Sequence, residues 1–177
     1  DVFSNHYECK FEILGQHYDS TEQYLFSQKA VHLGDLDLAN RILANRSAKN
    51  CKLFGESLQW SDANNTWHNF AYEKLKIANY AKYSQNESLR KVLFATAPKT
   101  LVEASPSDRF WGVGLRKTSP MIQDVTKWKG ENKMGILLTN LRDEMLADPK
   151  LAIAEKSKRS LESPDDIRPK RLSVSFT

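Results

Sequence analysis

Polar and apolar positions alternate over Lys10-Phe11-Glu12-Ile13, and Gly15-Gln16 then turns the chain into His17-Tyr18. A period of two broken by a glycine turn predicts a hairpin, with Phe11 and Ile13 on its buried face. Ser20 followed three residues later by Gln23 is a capping box, so a helix starts there; its pattern runs to His32 and stops at Gly34. A second helix is expected over roughly Asp35 to Ala44, and a short third one after Ser47, ended by Gly55. Beyond a polar stretch from Ser61 to Thr66, the apolar positions Trp67, Phe70, Ala71, Leu75 and Ala78 recur at helical spacing and predict a helix to about Tyr83. Asn86 caps another, with Leu89, Val92 and Leu93 on one side, which Pro98 ends. Thr100-Leu101-Val102 is a short strand candidate. After a loop holding Pro106 and Gly112-x-Gly114, the last periodic element begins near Asn132, with Met134, Leu137, Leu138, Leu141 and Met145 as its apolar stripe. The fold class read from this is α+β: a single helix-rich compact domain with a few short strands, over residues 1–148. Residues 149–177 have no apolar period, and their Ser/Asp/Pro/Lys content reads as a polar, flexible tail.

Composition narrows the class. With 40% apolar and 27% charged residues among 177, the chain is of globular type. It contains no run of about 18 apolar residues that would span a membrane, and no charged-then-apolar leader. It starts at Asp1 rather than at a methionine, which fits a segment trimmed upstream. Two cysteines, Cys9 and Cys51, are too few for a disulfide scaffold, so free thiols in an intracellular protein, cytoplasmic or nuclear, are expected. The formal charge is +4, and residues 149–177, with seven basic and four acidic side chains, supply +3 of it. The body is therefore nearly neutral.

Three groups of residues invite chemistry. Glu22 and Lys29 are seven apart on the capped helix, two turns, and project from one face with Phe26 between them. A carboxylate and an amine facing inward are costly unless paired or used; the alternative is a first-turn Glu serving the helix dipole and a Lys29 that snorkels to water. Asp108 sits in a polar loop that runs into Phe110-Trp111-Gly112-Val113-Gly114, an arrangement suited either to a small-molecule pocket or to an Asx-turn with Trp111 as a core plug. Trp67, Trp111 and Trp128 have core packing as their default, and Trp60 lies in a polar connection without an evident role. The four histidines show no ligand spacing, and P-loop, GxSxG and kinase patterns are absent, so metal catalysis and phosphoryl transfer lack support.

Read in order, the blocks Phe3-Ser4-Asn5, Ser20 to Tyr24, Gln28-Lys29-Ala30, Phe54-Gly55, Lys82 to Asn86, Ala95 to Glu103, Ser107 to Gly112, Trp128 to Gly135 and Leu137 to Arg142 are specific as a series. This series, from Phe3 to Leu146, resembles the NADAR (YbiA-like) family of N-glycosidases. The resemblance implies a compact helix-rich α+β domain that hydrolyses a ribose C–N bond without metal or organic cofactor. It implies Glu22, Lys29 and Asp108 as catalytic residues and Asn5, Trp67, Trp111, Gly112 and Asn132 as substrate-binding ones. The implied substrate is ADP-ribosylated guanine in nucleic acid, or alternatively a phosphorylated riboflavin-pathway intermediate; a non-catalytic ADP-ribose- or nucleotide-binding module is the reading outside enzymology. One departure is conservative in volume: Met134 stands where the family usually has Leu.

Overall fold

The hairpin forms as the alternation predicts, in a computed structural model that describes residues 1–60 and 66–151 together with the backbone of Ser175 and Phe176. Strands β1 (Phe11–Ile13) and β2 (Gln16–Tyr18) pair antiparallel, with Phe11 opposite Tyr18. Leu14 and Gly15 make the turn at φ of 52° and 81°, the left-handed pair that matches the twist of a two-residue hairpin. The chain divides into two compact units, residues 1–89 and 90–177.

In the first unit the helices are α1 (Thr21–His32), α2 (Leu36–Leu43), α3 (Ala48–Ser57) and α4 (Trp67–Gln85), with α5 (Glu87–Phe94) beginning at its end. Ser20, Asp35 and Ser47 cap α1, α2 and α3 through side-chain oxygens that accept the N–H three residues on. Gln23 departs from a capping box. Its amide oxygen accepts from the N–H of Asp19 at 2.7 Å, while its Nε2 points to the carbonyls of Ile42, Leu43 and Asn45 at 2.9–3.2 Å. Gln23 thus adds a donor to the carbonyls at the end of α2, two of which also accept from Asn45 N–H or the Cys51 thiol. Helices α1 and α4 run antiparallel: His32 meets Phe70, Gln28 meets Lys74, and Tyr24 packs in one cluster with Ala78 and Ala81. That cluster includes Phe11 and Tyr18, so the hairpin closes this core.

Gly55 does not end α3, which continues to Ser57. It lies in the helix because a Cβ there would fall 2.6 Å from Cβ of Phe26 and inside its ring atoms. The glycine is a packing requirement, and α3 rests directly on α1 at this point. Val92 is also placed differently from the sequence expectation: Leu89 and Leu93 are buried, but Val92 is 44% exposed. Leu89 and Leu93, four apart, share the buried face, and Val92 lies about 100° round the helix from its neighbour Leu93.

The second unit contains β3 (Val102–Glu103), two single 3-10 turns (Pro120–Gln123 and Val125–Lys127) and α6 (Lys133–Ala147). The expected strand over 100–102 is displaced because the N–H of Leu101 goes to the Thr139 hydroxyl at 3.0 Å instead of to a strand. Ala104, Val113, Leu115 and Ile122 form a core cluster against Val102 and Trp128, and the indole N–H of Trp128 donates to the Ile122 carbonyl at 2.9 Å. The stripe Met134, Leu137, Leu138, Leu141 and Met145 is buried as its period predicts. The backbone of β4 (Ser175–Phe176) pairs parallel with β3, Val102 opposite Ser175. The polar connection at 61–65 and the tail expectation for 152–174 and 177 lie outside the described residues. Among those described, no helix is long and apolar enough to cross a membrane.

Candidate active site

In the first unit, Glu22 occupies the second position of α1 and is only 6% exposed. Its N–H donates to the Asn5 carbonyl at 3.0 Å, and the neighbouring Thr21 hydroxyl donates to the carbonyl and side-chain oxygens of Asn5 at 3.2 and 2.9 Å. Asn5 is therefore tied to the first turn of α1, where unpaired N–H groups favour negative charge. The Glu22 carboxylate meets one imidazole: His6 Nε2 lies 3.4 Å from Oε1. The hydrogen bond and the charge of Glu22 raise the His6 pKa above the ordinary 6.5, against burial and the Lys52 ammonium. Cys51 is fully buried, and burial first and the Glu22 charge second push its thiol up to about 11.

A raised imidazole pKa means that the His6–Glu22 contact stabilises the fold in full below about pH 6.5 and ceases to do so as pH rises through the folded-state pKa. An NMR titration of the His6 ring protons is expected to give a midpoint above 6.5, falling toward it in Glu22→Gln. A midpoint unchanged by that substitution would mean the two groups are not coupled.

Lys29 is buried to the same degree as Glu22 but the two do not form an ion pair. Its Nζ donates to the carbonyls of Gly55 at 2.8 Å and Leu58 at 2.7 Å, across the end of α3, and lies 4.8 Å from the centroid of Trp67. Burial lowers its pKa, opposed by the Glu56 charge. Trp67, half-buried at the start of α4, stacks on Phe26 at 6.2 Å. Glu22, Lys29, Asn5 and Trp67 thus share one unit, arranged around the two ends of α1.

The second unit holds Asp108, Trp111, Gly112 and Asn132. Asp108 Oδ1 accepts the N–H groups of Phe110 and Trp111 at 3.0 and 2.8 Å, an Asx-type turn that leaves Oδ2 for another donor. Trp111 is half-buried, edge-on to Phe110 at 4.9 Å. Gly112 is buried, and a Cβ there would lie 2.9–3.0 Å from Ser105 Cβ and from the carbonyls of Asp108 and Glu103. Asn132, at φ 54° and fully buried, uses both ends of its amide internally: Oδ1 accepts from Glu103 N–H and Nδ2 donates to the Leu101 carbonyl, both at 2.9 Å. The side chain serves as the missing neighbour of β3, a structural duty in place of an open face for substrate.

Three further groups carry chemistry that the sequence left unmarked. His6 directly follows Asn5. Lys82 is fully buried on α4, donates to the Ser4 carbonyl at 3.1 Å, sits over the rings of Tyr7 and Tyr83, and is pushed down to about 8 by burial. A lysine seven residues after Leu75 and four after Ala78 falls on the core stripe, and that spacing is the signal that could have found it. Glu103 is raised to about 7, by burial first and by the charge of Asp108 second.

A family model described as NADAR domain matches residues 1–146. The chain belongs to the NADAR domain family. Among NADAR-related proteins, Protein irg-1 of Caenorhabditis elegans is 36% identical over 126 residues, which is 71% of this chain and 59% of that protein. N-glycosidase R617 of Acanthamoeba polyphaga mimivirus is 36% identical over 128 residues, 72% of this chain and 74% of its own length. The NMR structure of Escherichia coli YbiA shares the α+β fold at a TM-score of 0.64 and 27% identity, covering 88% of this chain and 80% of that one. The chain spans 59% of irg-1 and only 35% of a Vibrio vulnificus riboflavin biosynthesis protein, which is 29% identical over 80% of this chain.

Proposed function

We propose that this NADAR chain is an N-glycosidase that hydrolyses the C–N bond at the anomeric carbon of a ribosyl group, removing ADP-ribose from guanine. The observation that carries the reading is the Glu22 carboxylate, 6% exposed at the first turn of α1 and contacted there by a single imidazole. Breaking a ribose C–N bond develops positive charge at C1, and a desolvated carboxylate interacts with such a charge more strongly than one in water. Glu22 stabilises that charge and takes a proton from the attacking water, while the departing nitrogen gains one. Lys29 acts as a fixed positive charge beside Trp67 for phosphate or ring oxygens. Its Nζ is held by two carbonyl acceptors, while burial lowers its pKa. Asn5 hydrogen-bonds the sugar or phosphate, and Trp67 offers a ring face to the base. In the second unit, Asp108 carries an Oδ2 able to accept from a hydroxyl, and Glu103 near it is a carboxyl able to hold a proton near neutrality.

The name of the Vibrio relative favours a second reading, a phosphorylated riboflavin-pathway intermediate as substrate. Incubating the protein separately with an ADP-ribosylated guanine oligonucleotide and with those intermediates discriminates. Release of ADP-ribose from the first alone is the expected result. Turnover of the intermediates alone transfers the activity to the second reading. Tight ADP-ribose binding with no turnover of either would leave a binding module.

A further inference from the structure

Near the C-terminal end of α1 and the first turns of α4, four rings cluster at the surface of the first unit. His32 lies parallel on Trp60, with centroids 4.8 Å apart and an interplanar angle of 11°. Trp60 contacts Trp67 at 5.2 Å and Phe70 at 4.9 Å, and Phe70 reaches His32 at 4.9 Å and Trp67 at 6.0 Å. His32 is exposed and the other three are half-buried, so the cluster keeps ring surface in water. One lysine stands at its edge. Lys74, one turn beyond Phe70 on the same face of α4, holds its ammonium 5.3 Å from the Phe70 centroid and is steadied by Gln28 Oε1 at 3.2 Å. The carboxylate that acts on Lys29, Glu56, is engaged by Lys52 at 3.7 Å. The cluster is continuous through Trp67 with Lys29, hence with the site proposed above.

We propose that Trp60, Phe70, His32 and Lys74 form a stacking platform for single-stranded nucleic acid, which seats the bases flanking the one being processed. The inference rests on the N-glycosidase reading and concerns the bases that flank the processed one. Two features point to that occupant. Aromatic faces accept any base by stacking, and ammonium groups at their edge meet the phosphates between bases; this combination is how sequence-indifferent single-strand sites are built. A duplex keeps its bases stacked on each other and has no face to offer these rings.

The test measures binding of a fluorescein-labelled, unmodified oligo(dT) 12-mer by anisotropy over a series of salt concentrations, with a duplex of equal length for comparison. The wild-type chain is expected to prefer the single strand. Trp60→Ala weakens binding roughly tenfold with the salt slope unchanged, because it removes stacking. Lys74→Glu weakens it comparably and lowers the salt slope, because it removes a phosphate contact. Lys10→Glu, the same charge change on exposed β1, leaves affinity within about twofold. Thermal melts accompany each variant, and Lys74→Glu, at a half-buried position on α4, keeps the proposal open to refutation if Trp60→Ala fails to fold. Equal affinity for the duplex, no binding of the oligonucleotide, or equal weakening by Lys10→Glu each overturns it. Oligonucleotide binding without any glycosidase turnover sinks the function and spares the platform; turnover of a free ADP-ribosylated guanine nucleoside without oligonucleotide binding does the reverse.

Discussion

Glu22→Gln is expected to lower ribosyl C–N hydrolysis by about 10²–10⁴-fold, the range typical for loss of a proton-transferring carboxylate. The substitution changes one oxygen to NH2 and leaves volume and the N–H bond to Asn5 untouched, so the fold should persist. It removes the negative charge of a side chain only 6% exposed, which relieves a desolvation cost and deprives His6 of its anionic partner. Steady-state kinetics with the ADP-ribosylated oligonucleotide, alongside a thermal melt, separates the two effects. The expected pattern is a fall in kcat with KM within a few-fold, since charge at C1 exists only in the transition state. Loss confined to KM would make Glu22 a binding group. Activity within threefold of wild type would remove it from the mechanism. Lys29→Arg belongs in the same experiment: it retains a positive charge but cannot form an imine, so substantial residual activity fits an electrostatic role and abolition fits a covalent one.

Gly55→Ala is expected to cost about 3 kcal/mol, in the range of overpacked cores, and to lower Tm by roughly 6–12 °C for a chain of this size. The added methyl would meet the Phe26 ring and lie 2.6 Å from its Cβ, an atom fixed to the α1 backbone that no rotamer change can move away. Either α3 lifts off α1 or the two helices bend. Both displace the Gly55 and Leu58 carbonyls from Lys29 Nζ, so activity should fall further than stability alone explains. A double-mutant cycle with Phe26→Leu isolates the clash: the smaller side chain should recover part of the lost stability in the Gly55→Ala background while costing stability in the wild type. An unchanged Tm in Gly55→Ala would mean that α3 is free to shift at no cost.

Local signals carried far along this chain. Ser20, Asp35 and Ser47 started helices where their side chains reach the third N–H, and the apolar periods of α4 and α6 located their buried faces, because capping and burial stripes are properties of a few consecutive residues. The inward face bearing Glu22, Phe26 and Lys29 was legible for the same reason. What failed were choices made by distant partners. Gly55 reads as a stop signal until Phe26 is placed above it. Leu101 reads as strand until the Thr139 hydroxyl takes its N–H. Asn132 reads as a polar candidate for substrate until its amide is found between Leu101 and Glu103.

The sequence by itself determined the α+β class, the order of the helices, a hairpin (its turn read at Gly15-Gln16, one residue later than the Leu14-Gly15 turn of the structure) and, through its ordered blocks, membership of the NADAR family. Each of these depends on spacing within one segment or on residue identity. Only the tertiary structure decided what the charged groups contact: that Glu22 meets His6 and not Lys29, that Lys29 spans two carbonyls at the end of α3, and that Lys82 and Glu103 are desolvated enough to be pushed to about 8 and about 7. Desolvation and Coulomb energy are set by what surrounds a group in space, and chain positions dozens of residues apart supply those surroundings. The assembly of Trp60, a residue with no role in its own segment, into a cluster with His32, Trp67 and Phe70 has the same origin.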